Sequence, residues 1–255
     1  MITLISPAKT LDFETELPDL KSTDYLFQEE SAQIMKKLKS LSRKKISDLM
    51  SLSSSLADTN YQRFQMWDEN PEKNAVREAV FMFKGEVYLG LDPISLSSTQ
   101  LDFAQSNLRI LSGLYGYLKP LDKVQAYRLE MGTKISIGRK KNLYEFWGEK
   151  ISDAINEELN RDEKQCVLNL ASNEYSKAAN VKSVKGKVIT PVFKDYKNGK
   201  FKVISFFAKK ARGVMARWII QNEITDSNDV VRFNEDGYSF NELLSSDYQP
   251  VFTRE

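Results

Sequence analysis

The fold prediction depends on one stretch, GKFKVISFFAKKARGVMARWIIQN, residues 199–222. Residues 201–207 are apolar enough for a buried strand, and the apolar residues that follow recur at the period of an amphipathic helix. Four cations lie at the junction or one turn beyond it: Lys209, Lys210, Arg212 and Arg217. Because a helix N-terminus already carries partial positive charge, cations in its first turn are unfavourable unless an anion binds. The stretch therefore predicts an anion site, with a solvated charged face as the alternative.

Charge is distributed unevenly along the chain. The 255 residues contain 37 Lys and Arg and 35 Asp and Glu, which gives a net charge of +2. Residues 182–217, however, contain eleven Lys and Arg and one acid, Asp195, a local excess of +10. This polarisation favours a polyanionic partner.

The composition excludes several kinds of catalytic site. The chain has no histidine and one cysteine, Cys166, so Ser-His-Asp and Cys-His catalysis, imidazole zinc sites and disulfides are ruled out. Any acid–base group would be Lys, Tyr or a carboxylate, and we expect no cofactor and no metal site. No apolar run reaches the ~20 residues of a membrane span, and no basic region precedes the apolar start. We therefore expect a cytoplasmic protein.

Polar residues follow two predicted strands. Ser6 comes after the apolar residues 2–5, and Lys9 stands three positions later, a Ser-x-x-Lys spacing used by some acyl-transfer enzymes. The same spacing recurs in a charged helical segment, so an anion-binding role for Lys9 is the stronger interpretation. A buried strand from Cys166 ends near Ala171, before a helix capped by Ser172. Ligands often bind at such strand ends, which makes Ser172, Asn173, Glu174 and Tyr175 candidates beside a purely capping role.

Three further sequence patterns predict features of the fold and of the site. Residues 127–132 alternate, so that Arg128 and Glu130 point to the same side and can pair. Residues 79–91 are predicted as a hairpin that turns at Lys84-Gly85, and residues 188–207 as a hairpin that turns at Asn198-Gly199. Gly113 and Gly116 suggest a close approach of the backbone, and the adjacent Tyr115 and Tyr117 are candidate stacking surfaces for unpaired bases.

Two short helices with a serine-rich turn between them are predicted in residues 44–67. Together they resemble a helix-hairpin-helix, an element that grips the DNA backbone, and Arg63 could supply its cation. The usual glycines of that hairpin are absent, and a plain helical corner is the alternative.

Several segments together resemble the bacterial YaaA family of peroxide-stress-response proteins: SPAKTLDF, LRILSGLYGYLKPLD, YRLEMGTK, NLYEFWG, NLASNEYSKA and FKDYKNGKFKVISFFAKKARGVMARWIIQN. The resemblance implies one mixed α/β (α+β) domain over residues 1–255, with a mixed sheet flanked by helices. It also implies a helix-hairpin-helix element, carried over to residues 47–64. The implied cellular role is to limit free iron and iron-driven DNA damage under peroxide stress.

The resemblance further implies a cationic groove that binds DNA, carried over to Lys9, Arg128, Lys209, Lys210 and Arg212. We expect binding through phosphates without sequence readout, no membrane association and no obligate protein partner. The alternative is an enzyme that acts on a small phosphate- or carboxylate-bearing molecule, with Ser6, Lys9, Glu130 and Glu174 as catalytic candidates. Direct iron binding by carboxylates is a weaker third hypothesis, since the sequence has no clear acidic cluster.

Overall fold

The computed structural model describes residues 1–17, 20–72, 75–163 and 165–255. Within them the strands are Ile2–Ile5 (β1), Thr10–Leu11 (β2), Arg77–Glu78 (β3), Phe83–Lys84 (β4), Leu108–Ser112 (β5), Gly116–Leu118 (β6), Lys123–Val124 (β7), Cys166–Asn169 (β8), Lys187–Ile189 (β9), Val192–Lys197 (β10), Lys200–Lys202 (β11), Ser239–Phe240 (β12) and Val251–Arg254 (β13).

The α-helices in the same ranges are Gln28–Lys39 (α1), Arg43–Met50 (α2), Ser54–Met66 (α3), Ala79–Met82 (α4), Glu86–Leu91 (α5), Ser98–Asn107 (α6), Leu143–Trp147 (α7), Lys150–Arg161 (α8), Asn173–Ala178 (α9) and Ser205–Gln221 (α10). Short 3₁₀ turns cover Pro93–Ser95, Val181–Ser183, Ser227–Arg232 and Glu242–Leu244. The mixed α/β (α+β) class predicted from the sequence is confirmed.

The central sheet has the strand order β6-β5-β1-β8-β9. Strand β1 runs parallel to β5 and β8, and β9 runs parallel to β8, whereas β6 returns antiparallel to β5. Strands β1, β5 and β8 are buried along their whole length, as expected of parallel strands covered on both faces. The carboxyl ends of the parallel strands therefore meet at one edge of the sheet, where ligand sites of α/β sheets usually lie.

A second sheet has the order β11-β10-β13-β12. Its first two strands form the predicted hairpin at Asn198-Gly199, and both residues have the positive φ (+55° and +78°) that a type I′ turn requires. Buried apolar side chains of the two sheets belong to one contiguous cluster, which includes Ile2 and Ile5 of β1 and Phe252 of β13.

Helix α10 packs closely against the short helix α5. Gly213 and Gly90 make this approach possible: a Cβ on Gly213 would lie 1.8 Å from Val87 O, and one on Gly90 would lie 2.3 Å from Lys210 O. Such distances leave no room for any side chain at either position. Two glycines that face each other across the crossing therefore set the distance between the helices.

The predicted secondary structure of residues 79–91 is wrong. They form α4, the two-residue strand β4 and α5, not the predicted hairpin. The alternating apolar residues imitate a strand pattern, but nearly all of them are buried. Packing of the α5 backbone against α10 has overridden the local preference for a strand.

The start of α10 also differs from the prediction. The preceding strand ends at Lys202, and the helix begins at Ser205, so Phe206 and Phe207 lie in its first turn. Lys209 then falls in the second turn. Because the helix dipole acts mainly within the first turn, it does not by itself make the cations unfavourable.

The helices α2 and α3 confirm the predicted pair of short helices. Residues 51–53 connect them, with Ser51 at φ +52°, a conformation that favours glycine. The side chain of Ser53 accepts a hydrogen bond from the Leu56 backbone and caps α3. A DNA-gripping role for this pair stays a prediction. Among the described residues, no helix is long and apolar enough to span a membrane.

We predict that Gly213→Ala destabilises the protein. Helix propensity alone would stabilise α10 by about 1 kcal/mol, but the methyl group meets Val87 O in the crossing. Overpacking of this kind costs about 1–3 kcal/mol, so we expect a lower midpoint in thermal and urea denaturation followed by circular dichroism.

The control is Gly199→Ala in the hairpin turn, where no atom lies within 4 Å of an added Cβ and only the positive φ opposes the change. This control should cost about 1–2 kcal/mol through the backbone conformation alone. A rise in the midpoint of Gly213→Ala would show that the crossing is looser than described.

Candidate functional site

A cleft of about 430 Å³ lies at the carboxyl ends of β1 and β8, within the size range of small-molecule sites. Its walls come from the segment after β1, from β4 and the start of α5, from the loop after β7, from the start of α9, and from α10. The residues that line the cleft include nine of the predicted site residues: Ser6, Lys9, Arg128, Glu130, Ser172, Glu174, Tyr175, Lys209 and Arg212. The candidate Asn173 is not among the lining residues.

Ser6 and Ser172 form the floor next to the strand ends. The backbone N–H of Ser172 donates to Ser6 Oγ at 2.9 Å, and the hydroxyl of Tyr88 donates to the Ser6 carbonyl at 3.2 Å. Ser172 occupies the predicted N-cap of α9, but its side chain makes no capping hydrogen bond. Its hydroxyl therefore remains available to a ligand in the cleft.

Lys9 and Arg128 converge on Glu130. Lys9 Nζ lies 2.7 Å from Glu130 Oε2, and Arg128 Nη2 lies 3.6 Å from Glu130 Oε1. The predicted pairing of Arg128 with Glu130 is confirmed, although residues 127–132 form a loop with alternating burial and no strand. Lys9 binds this carboxylate, and no hydrogen bond between described residues joins it to Ser6. In this arrangement Lys9 is paired with Glu130 and not with Ser6.

The position of this loop depends on Gly113, just after β5. A Cβ there would lie 2.4 Å from Leu129 O, so only glycine lets the loop approach the end of the strand this closely. The close backbone approach predicted at Gly113 is confirmed. Nearby, Glu174 Oε1 accepts a hydrogen bond from the Gly132 N–H at 2.7 Å and fastens the loop to α9.

Arg128 and Arg212 have incomplete sets of partners. Within the described residues, Arg128 Nε is buried and has no hydrogen-bond acceptor. Arg212 is half-buried and forms neither a hydrogen bond nor an ion pair with any described residue. Burial lowers the pKa of the Arg212 guanidinium from its ordinary value, because the charged form loses water. A guanidinium stays protonated in proteins, so each group is a cation with unused donors.

The charges that line the cleft have an excess of cations. There are five cations and three carboxylates, an excess of two: Lys9, Lys84, Arg128, Lys209 and Arg212 against Glu86, Glu130 and Glu174. Lys9 and Lys209 are exposed at the mouth. Among the described residues, no group of three or more Asp, Glu or Cys side chains could hold a metal ion. The arrangement suits an oxyanion such as a phosphate or carboxylate group.

Three predicted anion-binding residues lie outside the cleft lining. Lys210 Nζ lies 3.2 Å from Asp236 Oδ1. Arg217 donates to the carbonyl oxygens of Leu91 and Asp92 at 2.9 and 2.8 Å and so caps the end of α5. Arg63, on α3, is half-buried; burial, and then the charge of Arg128, lower its pKa.

The predicted stacking role of Tyr115 and Tyr117 is wrong. Both side chains are buried, and the hydroxyl of Tyr115 accepts from Trp67 Nε1 at 3.1 Å. Tyr117 donates to Glu158 at 2.9 Å, beside the buried Arg109–Glu158 ion pair. Burial raises the pKa of each tyrosine. Glycine-flanked tyrosines indicate exposure poorly, because close backbone approach also accompanies a dense core.

The sequence interpretation missed Lys84 and Glu86 as cleft residues. The predicted hairpin placed its turn at Lys84-Gly85, which would have directed these side chains to solvent. The signal that could have located these two residues is the pair Lys84-Gly85, which immediately precedes helix α5.

Comparisons with known proteins agree over the whole chain. A family model described as peroxide stress protein YaaA matches residues 1–244. A UPF0246 protein from Saccharophagus degradans is 50% identical over 254 residues, which cover 100% of this chain and 99% of the relative. UPF0246 proteins from Aliivibrio fischeri strain MJ11 and from Teredinibacter turnerae are 50% and 48% identical, over 100% of this chain and 98% and 99% of their own lengths.

We predict opposite stability effects for two arginines of α10. Replacing Arg212, which has no described partner, with Met should leave the free energy of unfolding unchanged or raise it, because an unpaired half-buried cation is removed. Arg217→Met should lower it by about 2 kcal/mol, since charge-assisted hydrogen bonds to two carbonyls are lost.

Thermal denaturation of both variants without added anions checks this prediction. The two substitutions are chemically identical and lie five positions apart on one helix, so each serves as the control for the other. A larger loss for Arg212→Met than for Arg217→Met would mean that Arg212 is already satisfied within the protein.

Proposed function

Because the chain belongs to the peroxide stress protein YaaA family, we propose that it acts in the response to hydrogen peroxide by binding DNA without sequence preference. The observation that carries the proposal is the half-buried guanidinium of Arg212, which has no described partner and lines a cleft with excess positive charge. A phosphate oxygen of the DNA backbone supplies the missing acceptor.

The size of the cleft determines how DNA would bind. A volume of about 430 Å³ admits a phosphate group and its sugar but no duplex. The duplex therefore lies across the mouth, with one phosphate directed towards Arg128 and Arg212. Exposed Lys9 and Lys209 then contact neighbouring phosphates. These contacts involve no base edges, which is why we expect little dependence on DNA sequence.

The helix pair α2–α3 is the proposed second contact. Burial, and then the charge of Arg128, lower the pKa of Arg63 on α3, which supports a place for these two helices beside the cationic region. Lys210 and Arg217 extend the proposed surface along α10, with Lys210 exchanging Asp236 for a phosphate. From the family likeness we also propose a cytoplasmic location and a part in limiting free iron and iron-driven DNA damage.

A second candidate function is catalysis on a small phosphate- or carboxylate-bearing molecule. The observation in its favour is that Glu130 and Glu174 lie inside the cleft. A site for DNA phosphates has no need of carboxylates, which repel the backbone, whereas acid–base chemistry uses them. In this alternative Arg212 and Arg128 hold the anionic group, and Glu130, paired with Lys9, is the proton-transfer group.

We predict that DNA affinity falls steeply with salt. If about four phosphates are contacted, the slope of log K against log salt should lie near −3.6 for a duplex, measured by fluorescence anisotropy from about 50 to 200 mM salt. Substituting Lys209, Lys210 and Arg212 together with Glu should abolish binding, with an unchanged circular dichroism spectrum.

The control is the triple substitution of Arg139, Lys140 and Lys141 with Glu. It makes the same change in charge and in residue types on an exposed loop. Equal loss in both triple variants would show that net charge, not the cleft, governs binding. A binding constant independent of salt would refute phosphate binding altogether.

We predict that Glu130→Gln distinguishes the two candidate functions. If DNA binds, loss of this carboxylate frees Lys9 and Arg128 and removes a repulsive charge, so duplex affinity should rise severalfold. If Glu130 transfers protons, affinity for inorganic phosphate should persist while DNA affinity remains negligible. Glu242→Gln, in the Glu242–Leu244 turn distant in sequence, is the control and should leave duplex affinity unchanged.

A further inference from the structure

The outward face of the β10–β11 hairpin carries two aromatic side chains that the cleft does not use. Along β10, Phe193 and Asp195 are buried, so Tyr196 points to the opposite side of the sheet. Tyr196 pairs directly with Phe201 on β11, and their ring centroids are 5.2 Å apart. The side chain of Tyr196 is 53% exposed. Tyr196 is therefore accessible to solvent, and the half-buried ring of Phe201 packs beside it.

Lysines lie on both faces of the hairpin. Lys194, half-buried, shares the face of Tyr196, and Lys197 and Lys200 project from the opposite face beside the turn. Lys197 and Lys200 lie directly opposite each other and are exposed, an arrangement that destabilises a strand pair by repulsion. Neither lysine forms an ion pair with a described residue. The hairpin's own acid, Asp195, is buried and already bound by Arg254 at 2.7 Å and by the hydroxyl of Tyr238 at 2.9 Å. The hairpin therefore has cations whose repulsion an external anion would relieve.

We infer that the hairpin face binds an unpaired DNA strand. Bases stack on Tyr196 and Phe201, and the phosphates contact Lys194 on the same face and, where the strand passes the turn, Lys197 and Lys200 at the tip of the hairpin. Exposed aromatic rings beside cations are what strand-binding proteins use, because every base has a face that can stack. In a duplex the base faces are covered by their neighbours, so the rings would have nothing to bind.

The chain itself connects this face to the cleft. Strand β11 leads through two residues into α10, where Phe206 is 57% exposed in the first turn and Lys209 lines the cleft in the second. The inference deepens the proposed DNA binding and rests on it. It adds a preference that phosphate contacts alone would not create: partly unpaired DNA binds better than a closed duplex.

The test compares three fluorescein-labelled probes by anisotropy at one low salt concentration: a 12-residue oligothymidylate, an abasic strand of equal length and a 12-base-pair duplex. Tyr196→Ala should weaken binding of the oligothymidylate about fivefold or more, the effect of losing one stacked base. Binding of the abasic strand and of the duplex should change less than about twofold, because neither offers a base face.

Two control variants separate the loss of base stacking from a general loss of structure and from the removal of any exposed tyrosine. Tyr196→Phe keeps the ring and should retain oligothymidylate binding. Tyr248→Ala removes another exposed tyrosine, one outside the hairpin, and should have no effect. Circular dichroism melting of each variant confirms that the hairpin change leaves the fold intact.

Each outcome decides between the proposals. Unchanged oligothymidylate affinity in Tyr196→Ala overturns the inference, while duplex binding by the same protein leaves the proposed function standing. Equal losses for all three probes also overturn it, because stacking cannot act on an abasic strand. If the wild-type protein binds none of the probes, the proposed DNA binding and the inference fail together.

Discussion

The close crossing of α5 and α10 is the constraint on which the candidate site depends. Gly90 and Gly213 bring the two backbones so near that neither position accepts a Cβ. One wall of the cleft, Gly85 to Val87, belongs to the start of α5, and the opposite cations Lys209 and Arg212 belong to α10. The distance between these walls is therefore fixed by glycines that touch no ligand. Gly113 acts in the same way on the loop that carries Arg128 and Glu130.

The excess of positive charge gives this cleft a preference for anions. Paired charges such as Lys9 and Glu130 hold each other in place, whereas Arg212 has donors that no described residue uses. Half-buried cations without partners reduce stability, and proteins tolerate them mainly where function needs them. The buried Arg109–Glu158 pair shows the contrasting structural solution, in which both charges are satisfied within the core. The cleft and the hairpin share one property: each has cations that form no ion pair with a described residue and could bind an anion.

Local signals in the sequence predicted much of the architecture. The apolar strand at Cys166, the Asn198-Gly199 hairpin and the two short helices around Ser51 follow from patterns a few residues long. Ser6 and Ser172 could be predicted as site residues because each follows a buried strand, and Arg128 and Glu130 could be paired because alternate residues of an extended segment point to the same side. The helix at Glu86–Leu91 could not be predicted, because it exists through contact with a segment more than a hundred residues away. Burial of Tyr115 and exposure of Tyr196 likewise depend on the tertiary fold, which no short pattern contains.

The central proposal is that a phosphate of the DNA backbone accepts hydrogen bonds from the guanidinium of Arg212. The most direct test is a crystal structure of the protein with a short duplex that has an unpaired end, read as the distance from Arg212 to the nearest phosphate oxygen. We predict a distance of about 2.8 Å, as in charge-assisted hydrogen bonds, with the duplex across the cleft mouth. DNA bound elsewhere, with Arg212 still without a phosphate, would contradict the claim.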